Sequence, residues 1–484
     1  MGYSDNPDLV SGSQAKSSWI TEITPGIAVK REGGRVKVQA DYRMSGVFSA
    51  SDSGRNDIYH GLDGRASAEL VEDWFYLDAT ARISQQLKEG ARAGDRGVGG
   101  IGGGVGVSGI NNTSQVGAYS LSPYLKHRFG SFATVEARVA MDDVISSDSQ
   151  TADARTTRYR LGAVSGNLYY PLTWSANYEK SDTHNNGADD TGSDRASVNA
   201  RYALNRKYGL LAQAGLEKND FTGVNTTEED YKYYGLGVFY TPGRRFSADV
   251  YVNHSNNGNF LSGSATLSPT PRTSFKASTS QRAFGRTYGL AFSHRTRQSN
   301  WTLNYQEDLT NSQQQFLNYV GSIYENNCGG VISYSASPVS LPGCVSRRLD
   351  LVNQSQLNET YTSKVLSGAM SYTHRRSTFR LSAYHNKRHY QSSGAEDKTI
   401  GLQGSWNLRA SPRITYALTG GVSRDETSVG GDESDLWNLG LSLTHRLDAK
   451  TSAVLDLRHQ QRNSDQPGDS YKENAVTARL NMSF

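Results

Sequence analysis

The sequence lacks any stretch near the roughly 18 consecutive apolar residues that a membrane-spanning helix requires, which excludes a helical membrane protein. It also lacks an excess of one charge, because 51 basic and 47 acidic residues are spread evenly and leave a net charge of only +4. This balance predicts neither nucleic-acid binding nor a polybasic membrane arm. Aromatic residues make up 10% of the chain, too many for a disordered protein.

Cysteine and proline are scarce as well. The chain has 2 cysteines and 11 prolines against 49 glycines, and the composition does not shift from one end to the other. At about 150 residues per domain the length would suggest three soluble domains. Since no linker divides the chain, we expect a single domain built from one structural unit that is repeated along the chain.

That repeated unit is an alternation of apolar and polar residues with period 2, which in a β-strand sends successive side chains to opposite faces. The last ten residues place Val476, Leu480 and Phe484 on one face and Thr477 and Arg479 on the other. The same pattern recurs at residues 36–44, 75–83, 246–252, 414–422 and 453–457. Hydrophobic residues are only 36% of the chain and the mean hydropathy is −0.62, because half of each strand is polar.

The connections between these strands alternate in length. Short ones rich in Gly, Asn, Asp, Ser and Pro occur at 32–34, 72–73, 129–131, 171–172, 205–207, 241–243, 295–299, 375–377, 410–412 and 448–449. Longer polar loops lie near 50–57, 89–114, 147–155, 183–193, 220–229, 310–356, 425–433 and 463–470. Strands of roughly ten residues are too long for a typical soluble β-sandwich. The pattern predicts an all-β fold, a large antiparallel up-and-down transmembrane β-barrel with lipid outside and an aqueous lumen.

About 23 strands are visible, the first at residues 20–31, whereas bacterial single-chain barrels have even strand numbers. We expect 24 strands in the intact protein, or 22 if one strand near 259–300 is wrongly divided. Residues 1–18 are then the remnant of a first strand and its external loop, and residues 19–484 are a single barrel. Met1 is not followed by the apolar segment of a signal peptide, so we expect the natural N-terminus to be missing. A barrel of this size, about 45 to 50 Å across, is too wide for side chains to fill.

Charged residues in the middle of strands are predicted to line the lumen. They are Lys37, Asp41, Arg43, Asp78, Arg82, Asp249, Asp456, Arg458 and Arg479. Their mixed signs disfavour strong ion selectivity and suit a hydrated neutral or weakly charged polymer.

Two further features have a predicted structural role. Cys328 and Cys344 fall in the longest loop and would form a disulfide in the oxidising periplasm, shaping that loop into a gate or a ligand contact. Phe484 ends the last strand on the lipid-facing register and resembles the signal that the barrel assembly machinery reads. The alternative for Phe484 is a place in the interfacial aromatic girdle.

The other motifs do not predict a nucleotide-binding, metal-binding or catalytic site. Gly97 to Gly102 match G-x-G-x-x-G, but a glycine-rich loop and another strand follow instead of a helix. On one strand His385 and His389 would lie about 13 Å apart, too far to share a metal. Acidic runs at 228–230 and 432–433 fit solvated loops, with calcium bridging as the alternative. Because no G-x-S-x-G elbow or similar signature is present, we expect no enzyme activity, no cofactor and no metal.

Residues 19–46 carry a family resemblance. The runs Trp19–Ile27, Arg31–Gly34 and Ala40–Gly46 resemble the outer-membrane barrel family associated with the PEP-CTERM and exosortase system of Gram-negative bacteria. The specific motif covers only these 28 or so residues, while the hairpin rhythm is similar over most of the chain. The sequence departs from the family in lacking the strand expected before Asn6. The resemblance implies a barrel encoded beside exopolysaccharide genes, and it supplies no catalytic residue.

The functional expectation is a non-enzymatic barrel in the outer membrane of a Gram-negative bacterium. It would be a wide conduit or platform for exopolysaccharide export or for sorting of surface proteins. Its expected partners are outer-membrane lipid, the barrel assembly machinery, and polysaccharide or periplasmic export components. The alternatives are a non-conducting interaction barrel that binds partners through its loops, and a general porin.

Overall fold

The structure of the protein is a computed structural model. The structure describes residues 1–50, 56–87, 113–147, 153–186, 190–221, 230–311, 322–328, 331–335, 344–350, 360–391, 393–428 and 431–483. No helix in this part of the chain is long and apolar enough to cross a membrane.

Alternating apolar and polar residues form a succession of antiparallel strands. Those in the first half of the chain are β1 (Gly2–Ser4), β2 (Ser18–Ile23), β3 (Gly26–Glu32), β4 (Val36–Ser49), β5 (Asp57–Val71), β6 (Phe75–Leu87), β7 (Thr113–Phe129), β8 (Ala133–Ser146), β9 (Ala154–Ser165), β10 (Leu172–Asn185), β11 (Thr191–Ala203), β12 (Tyr208–Phe221), β13 (Tyr231–Gly243) and β14 (Phe246–Ser255). Those in the second half are β15 (Gly258–Thr270), β16 (Thr273–Arg282), β17 (Gly285–Arg295), β18 (Ser299–Asn311), β19 (Ser322–Cys328), β20 (Val331–Ser335), β21 (Cys344–Asp350), β22 (Thr360–His374), β23 (Ser377–Tyr390), β24 (Glu396–Arg409), β25 (Ile414–Thr427), β26 (Asp432–Arg446), β27 (Thr451–Ser464) and β28 (Tyr471–Met482).

All but three of these strands belong to one closed sheet. The exceptions are β19, β20 and β21, which follow β18 and precede β22 in the chain and form a separate three-stranded sheet. In the barrel itself, β18 pairs directly with β22. In the 25-stranded sheet β2 and β3 lie end to end along the same edge of β4, pairing with Ser49–Gly46 and with Arg43–Lys37. The 25 strands therefore occupy 24 positions of an antiparallel barrel. The predicted fold and the count of 24 are confirmed, and the alternative of 22 is wrong.

The sheet closes through the short strand β1, which lies between β28 and β2. Tyr3 is the register partner of Trp19 on one side and of Val476 on the other. Beyond β1, the side-chain amide Nδ2 of Asn6 donates hydrogen bonds to the backbone carbonyl oxygens of Val10, at 2.7 Å, and Lys472, at 3.0 Å. These contacts place the N-terminal segment at the end of the barrel where the long connections lie.

The predicted alternation of short and long connections fails in one sector. On the side of the long loops, β14 and β15 are joined by a tight turn at residues 256–257, and β16 and β17 by another at 283–284. Gly258 and Gly285 follow these turns with φ angles of +108° and +126°, which glycine adopts at little cost. We call the side of the long connections the loop end and the opposite side the turn end.

Large apolar side chains cover the outer face of the barrel. Leu236, Val252, Leu418 and Leu441 are 73%, 64%, 39% and 46% exposed, although each is in the middle of a strand. Exposed aromatic residues border this belt toward the turn end, at Trp74, Phe129, Phe132, Tyr202, Tyr208 and Tyr240, and toward the loop end, at Trp19, Phe48, Tyr119, Tyr159, Tyr234 and Trp437. A closed barrel leaves no unpaired sheet edge, and an apolar belt between aromatic girdles matches lipid. The chain is an outer-membrane β-barrel.

On the inner face, glycines leave room for aromatic rings from neighbouring strands. A Cβ atom added to Gly401 of β24 would lie 2.4 Å from the ring of Tyr384 on β23, which is only 7% exposed. Such a contact forces an overpacked side chain to move. The position of the Tyr384 ring therefore requires a residue without a Cβ atom at Gly401.

Gly401→Ala is expected to lower the free energy of unfolding by about 1 to 3 kcal/mol, because the methyl group displaces the Tyr384 ring. The measurement is urea unfolding of the barrel in phospholipid bilayers. Gly404→Ala is the matched control on the same strand, since a Cβ there meets nothing closer than 3.8 Å. Equal effects of the two substitutions would show that the ring does not need this glycine.

Candidate functional site: the polar lining of the barrel

All nine charged residues predicted to line the lumen lie on the polar face of the wall. Strand register places Asp41 beside Asp63, Asp63 beside Arg82, and Asp456 beside Thr477. The same face carries Asp142, Gln460 and Glu473, whose exposure is 0% although they are polar. Polar groups that are buried in this way belong to the inside of the barrel, opposite the exposed apolar belt.

Most of these charges have an ion-pair partner on the same face. Arg43 Nε lies 2.8 Å from Asp41 Oδ1, and Arg138 on β8 reaches Asp78 on β6 with 2.9 Å between Nη1 and Oδ2. Further pairs are Arg201–Asp249, Arg458–Glu473 and Arg479–Asp456. These ion pairs place opposite charges side by side on the wall, so the charges neutralise one another locally.

The most buried pairs include residues that the sequence did not single out. Arg158 donates to Asp142 with an Nε–Oδ2 distance of 2.7 Å. Glu473 accepts hydrogen bonds from Arg458, at 2.9 Å, and from the hydroxyl of Ser4, at 2.6 Å. The last of these contacts ties β1 to β28 on the inner face. Period-2 alternation could have put Asp142 and Glu473 on the polar face, but it does not show which partner each would have.

Between β11 and β16 the wall curves sharply, and inward-facing side chains from strands that are not neighbours contact one another. We call this sector the β11–β16 lobe. The amide Nε2 of Gln213 on β12 lies 2.5 Å from Asn253 Oδ1 on β14 and 3.2 Å from Ser262 Oγ on β15. Arg201 of β11 stacks 3.4 Å from the centre of the Phe239 ring on β13. Arg201 and Asp249 on this face remain 42% and 34% exposed, so the expectation that the lumen is too wide for side chains to fill stays a prediction. The number of strands fixes the circumference of the wall, whereas its cross-section can still fold inward.

An ion triad holds the lobe at its loop end. Arg282 of β16 forms two hydrogen bonds to Glu217 of β12, Nε–Oε2 at 2.8 Å and Nη2–Oε1 at 2.9 Å. Its Nη1 also lies 3.4 Å from Asp308 Oδ1 on β18. Four strand spacings separate β12 from β16, about 19 Å along the wall. Arg282 and Glu217 can meet only because the wall curves sharply between them. This curved part of the wall includes the tight turns that join β14 to β15 and β16 to β17.

Next to the triad is a small polar cavity of about 60 Å³. One side is formed by the loop ends of β10, β11 and β12, and the other by Arg282, β18 and β22. Hydroxyl and amide groups dominate its lining, including Ser181, Thr183, Ser193 and Asn219. The cavity exists because the curled wall brings together strands that are distant along the sheet.

The segment at residues 19–46 that carries the resemblance corresponds to the interrupted strand β2–β3 and most of β4. At the interruption, the Thr24 hydroxyl donates to Glu22 Oε1 at 3.0 Å and lies 3.0 Å from the Ser45 hydroxyl across the strand pair. Ile20, Val47, Tyr59 and Ala475 form a small buried cluster nearby on the inner face. The segment therefore lies at the seam where the two ends of the chain close the barrel.

Among the described residues, the histidines of β23 and the acidic pair at 432–433 do not come together. His385 and His389 face outward on β23, on the opposite face from Arg380 and Arg388. Outward-facing Glu433 pairs with Arg424 at 3.0 Å. Within the described ranges there is no group of three or more His, Cys, Asp or Glu side chains arranged to hold a metal ion. The glycine-rich motif at 97–102, residues 228–229 and Phe484 lie outside the described residues.

The two cysteines are close in the backbone of the separate sheet. Cys328 ends β19, Cys344 begins β21, and the two are direct register partners. Opposed residues of an antiparallel pair have Cα atoms about 4.5 to 5.5 Å apart, within the range of disulfides. Their side chains lie outside the described part, so the disulfide stays a prediction.

We expect the protein isolated from outer membranes to contain no free thiol, because Cys328 and Cys344 are oxidised together. Mass spectrometry after alkylation, with and without prior reduction, measures this directly. On the chain-entropy model such a bridge constrains the unfolded loop by about 3 kcal/mol. Alkylation of both cysteines before reduction would contradict the prediction.

No family model matches the sequence, and no curated protein matches it. Several solved structures are similar to this chain. The FrpB iron transporter from Neisseria meningitidis (F5-1 variant, apoprotein form) has a TM-score of 0.46 and 8% identity, over 100% of this chain and 80% of that one. The siderophore receptor PirA from Acinetobacter baumannii has a TM-score of 0.41 and 8% identity, over 95% and 80%. OmpT, an outer membrane protein of Vibrio cholerae, has a TM-score of 0.27 and 9% identity, over 68% and 98%. None of these values is high enough to indicate a common function.

Proposed function

We propose that this outer-membrane barrel is a wide, non-enzymatic conduit or platform that takes part in exopolysaccharide export or in the sorting of proteins to the cell surface. The observation that carries the proposal is the self-neutralised polar lining. Arg138 with Asp78, Arg201 with Asp249, and Arg458 with Glu473 present both charges side by side. Such a wall is wetted but has little net field, which suits the passage of an uncharged or weakly charged hydrated polymer.

The resemblance of residues 19–46 to the exosortase-associated barrel family supports the same proposal, because that family is encoded beside exopolysaccharide genes. We further propose that polysaccharide or periplasmic export components contact the barrel. The expected barrel assembly machinery would act earlier, during insertion into the outer membrane.

Deletion of the gene in the producing bacterium tests the proposal. We expect a several-fold loss of secreted polysaccharide or of sorted surface protein, restored by a plasmid copy of the wild-type gene. Both cell-surface products are measured in the same cultures, together with total polysaccharide inside the cell, which should accumulate if export is blocked. Unchanged amounts of both products in the deletion strain would overturn the proposal.

A second candidate is an interaction barrel that does not conduct. The β11–β16 lobe favours it, because the curved wall brings Gln213, Asn253 and Ser262 together on the inner face and leaves less space there for a conduit. In that case the loops would bind partners and the lumen would stay closed. Ion conductance separates the two candidates.

A further inference from the structure

Two buried hydroxyl groups line the cavity beside the ion triad. Ser181 Oγ and Thr360 Oγ1 are each inaccessible to solvent and make no hydrogen bond within the part of the chain that the structure describes, and the two residues are 7% and 8% exposed. Burying a hydroxyl without a hydrogen bond costs free energy, so a group that satisfies both would be stabilised there. Ser181 lies on β10 and Thr360 on β22, so the two face the same space from opposite sides.

The remaining polar lining is neutral or already paired. Thr183, Ser193 and Asn219 contribute hydroxyl and amide groups that can both donate and accept. Arg282 is matched by two carboxylates, Glu217 and Asp308, and Glu217 also lies opposite Arg195 of β11. The charges of these four residues balance, so they offer an anionic ligand no net attraction. A ligand that carries several uncharged hydroxyl groups fits the available donors and acceptors.

The volume limits how much of such a ligand can enter. About 60 Å³ corresponds to about two water molecules, or to a hydroxymethyl group with a neighbouring hydroxyl. Leu309 supplies an apolar surface beside the hydroxyl groups, suited to the C–H face of a sugar. We propose that this cavity at the loop end is a binding subsite for the hydroxyl-bearing edge of one unit of an uncharged polysaccharide. The inference rests on the proposed conduit function and names the class of its substrate.

The test uses the full barrel, purified in a detergent without a sugar headgroup, and isothermal titration with dextran as the neutral probe and dextran sulfate as the anionic one. We expect dextran to bind more tightly than dextran sulfate. The double variant Ser181→Ala with Thr360→Val should bind dextran about tenfold more weakly, because two hydrogen bonds are lost. Ser175→Ala, on the same face of β10 but outside the cavity, is the matched control and should bind as the wild type does.

The outcomes separate this subsite from the conduit itself. Equal dextran affinity in the wild type and the double variant overturns the subsite but leaves a neutral-polymer conduit standing. Tighter binding of dextran sulfate overturns the assignment of an uncharged ligand. If no dextran binds, the subsite is wrong, and secretion by the deletion strain then decides the proposed function independently. Retention of the folded, heat-modifiable gel band by each variant shows that a loss of binding is not a loss of fold.

Discussion

Arg282→Met is expected to lower the free energy of unfolding by about 3 kcal/mol, because it removes the cation that forms two hydrogen bonds with the buried carboxylate of Glu217. The side chain of Glu217 is 5% exposed and that of Arg282 is 18% exposed, so water compensates the lost pair only in part. Methionine keeps much of the volume of arginine, which limits the effect to charge and hydrogen bonding. The measurement is urea unfolding in phospholipid bilayers.

The control for this prediction is Lys276→Met, an exposed lysine on the same strand and the same face. It should change stability by less than about 0.5 kcal/mol, as is usual for surface positions. A double-mutant cycle with Glu217→Gln isolates the pair. We expect the second substitution to cost much less in the presence of the first, because the interaction is already gone. Strictly additive effects would show that Arg282 and Glu217 do not hold the β11–β16 lobe together.

Leu418→Arg is the second substitution with a large expected effect. Leu418 is 39% exposed in the middle of β25, on the outer face, with Trp406 and Leu441 as its register partners. An arginine on the lipid face near the middle of the bilayer costs about 2 to 4 kcal/mol. The measurement is the fraction of barrel that reaches the folded, heat-modifiable form, together with its unfolding free energy in bilayers.

Thr419→Arg provides a control one residue away. Thr419 lies on the inner face, where its hydroxyl donates to the carbonyl oxygen of Gly440 at 3.4 Å. An arginine there remains in contact with water, so its cost should be far below that of Leu418→Arg. Equal losses at the two positions would contradict the assignment of the faces along β25.

The strands and the faces could be predicted from the sequence because both depend on neighbouring residues. Alternation with period 2 in segments such as 36–44 gives the strand, the face of Lys37 and Asp41, and the position of the turn that follows. The same local signal, repeated along the chain, predicts about 23 strands, and the even strand number of bacterial barrels raises the prediction to 24, which the structure confirms. The tight turns at 256–257 and 283–284 were missed because strands in this sector are linked by similarly short connections at both ends.

The contacts inside the barrel could not be predicted in the same way. Glu217, Arg282 and Asp308 are separated by 65 and 26 residues along the chain, and they meet only through the curvature of the wall. That curvature is set by packing between strands two to four positions apart, such as Arg201 against Phe239. A sequence pattern with a period of two residues contains no information about these distances.

Ion conductance of the purified full-length barrel in planar lipid bilayers tests the proposed conduit most directly. We predict a large, steady conductance with weak selectivity between cations and anions, because charges of both signs alternate along the lining. Arg282→Met, which releases the β11–β16 lobe, should raise that conductance further. Silence from protein that is correctly folded and inserted would contradict the conduit and favour a closed interaction barrel.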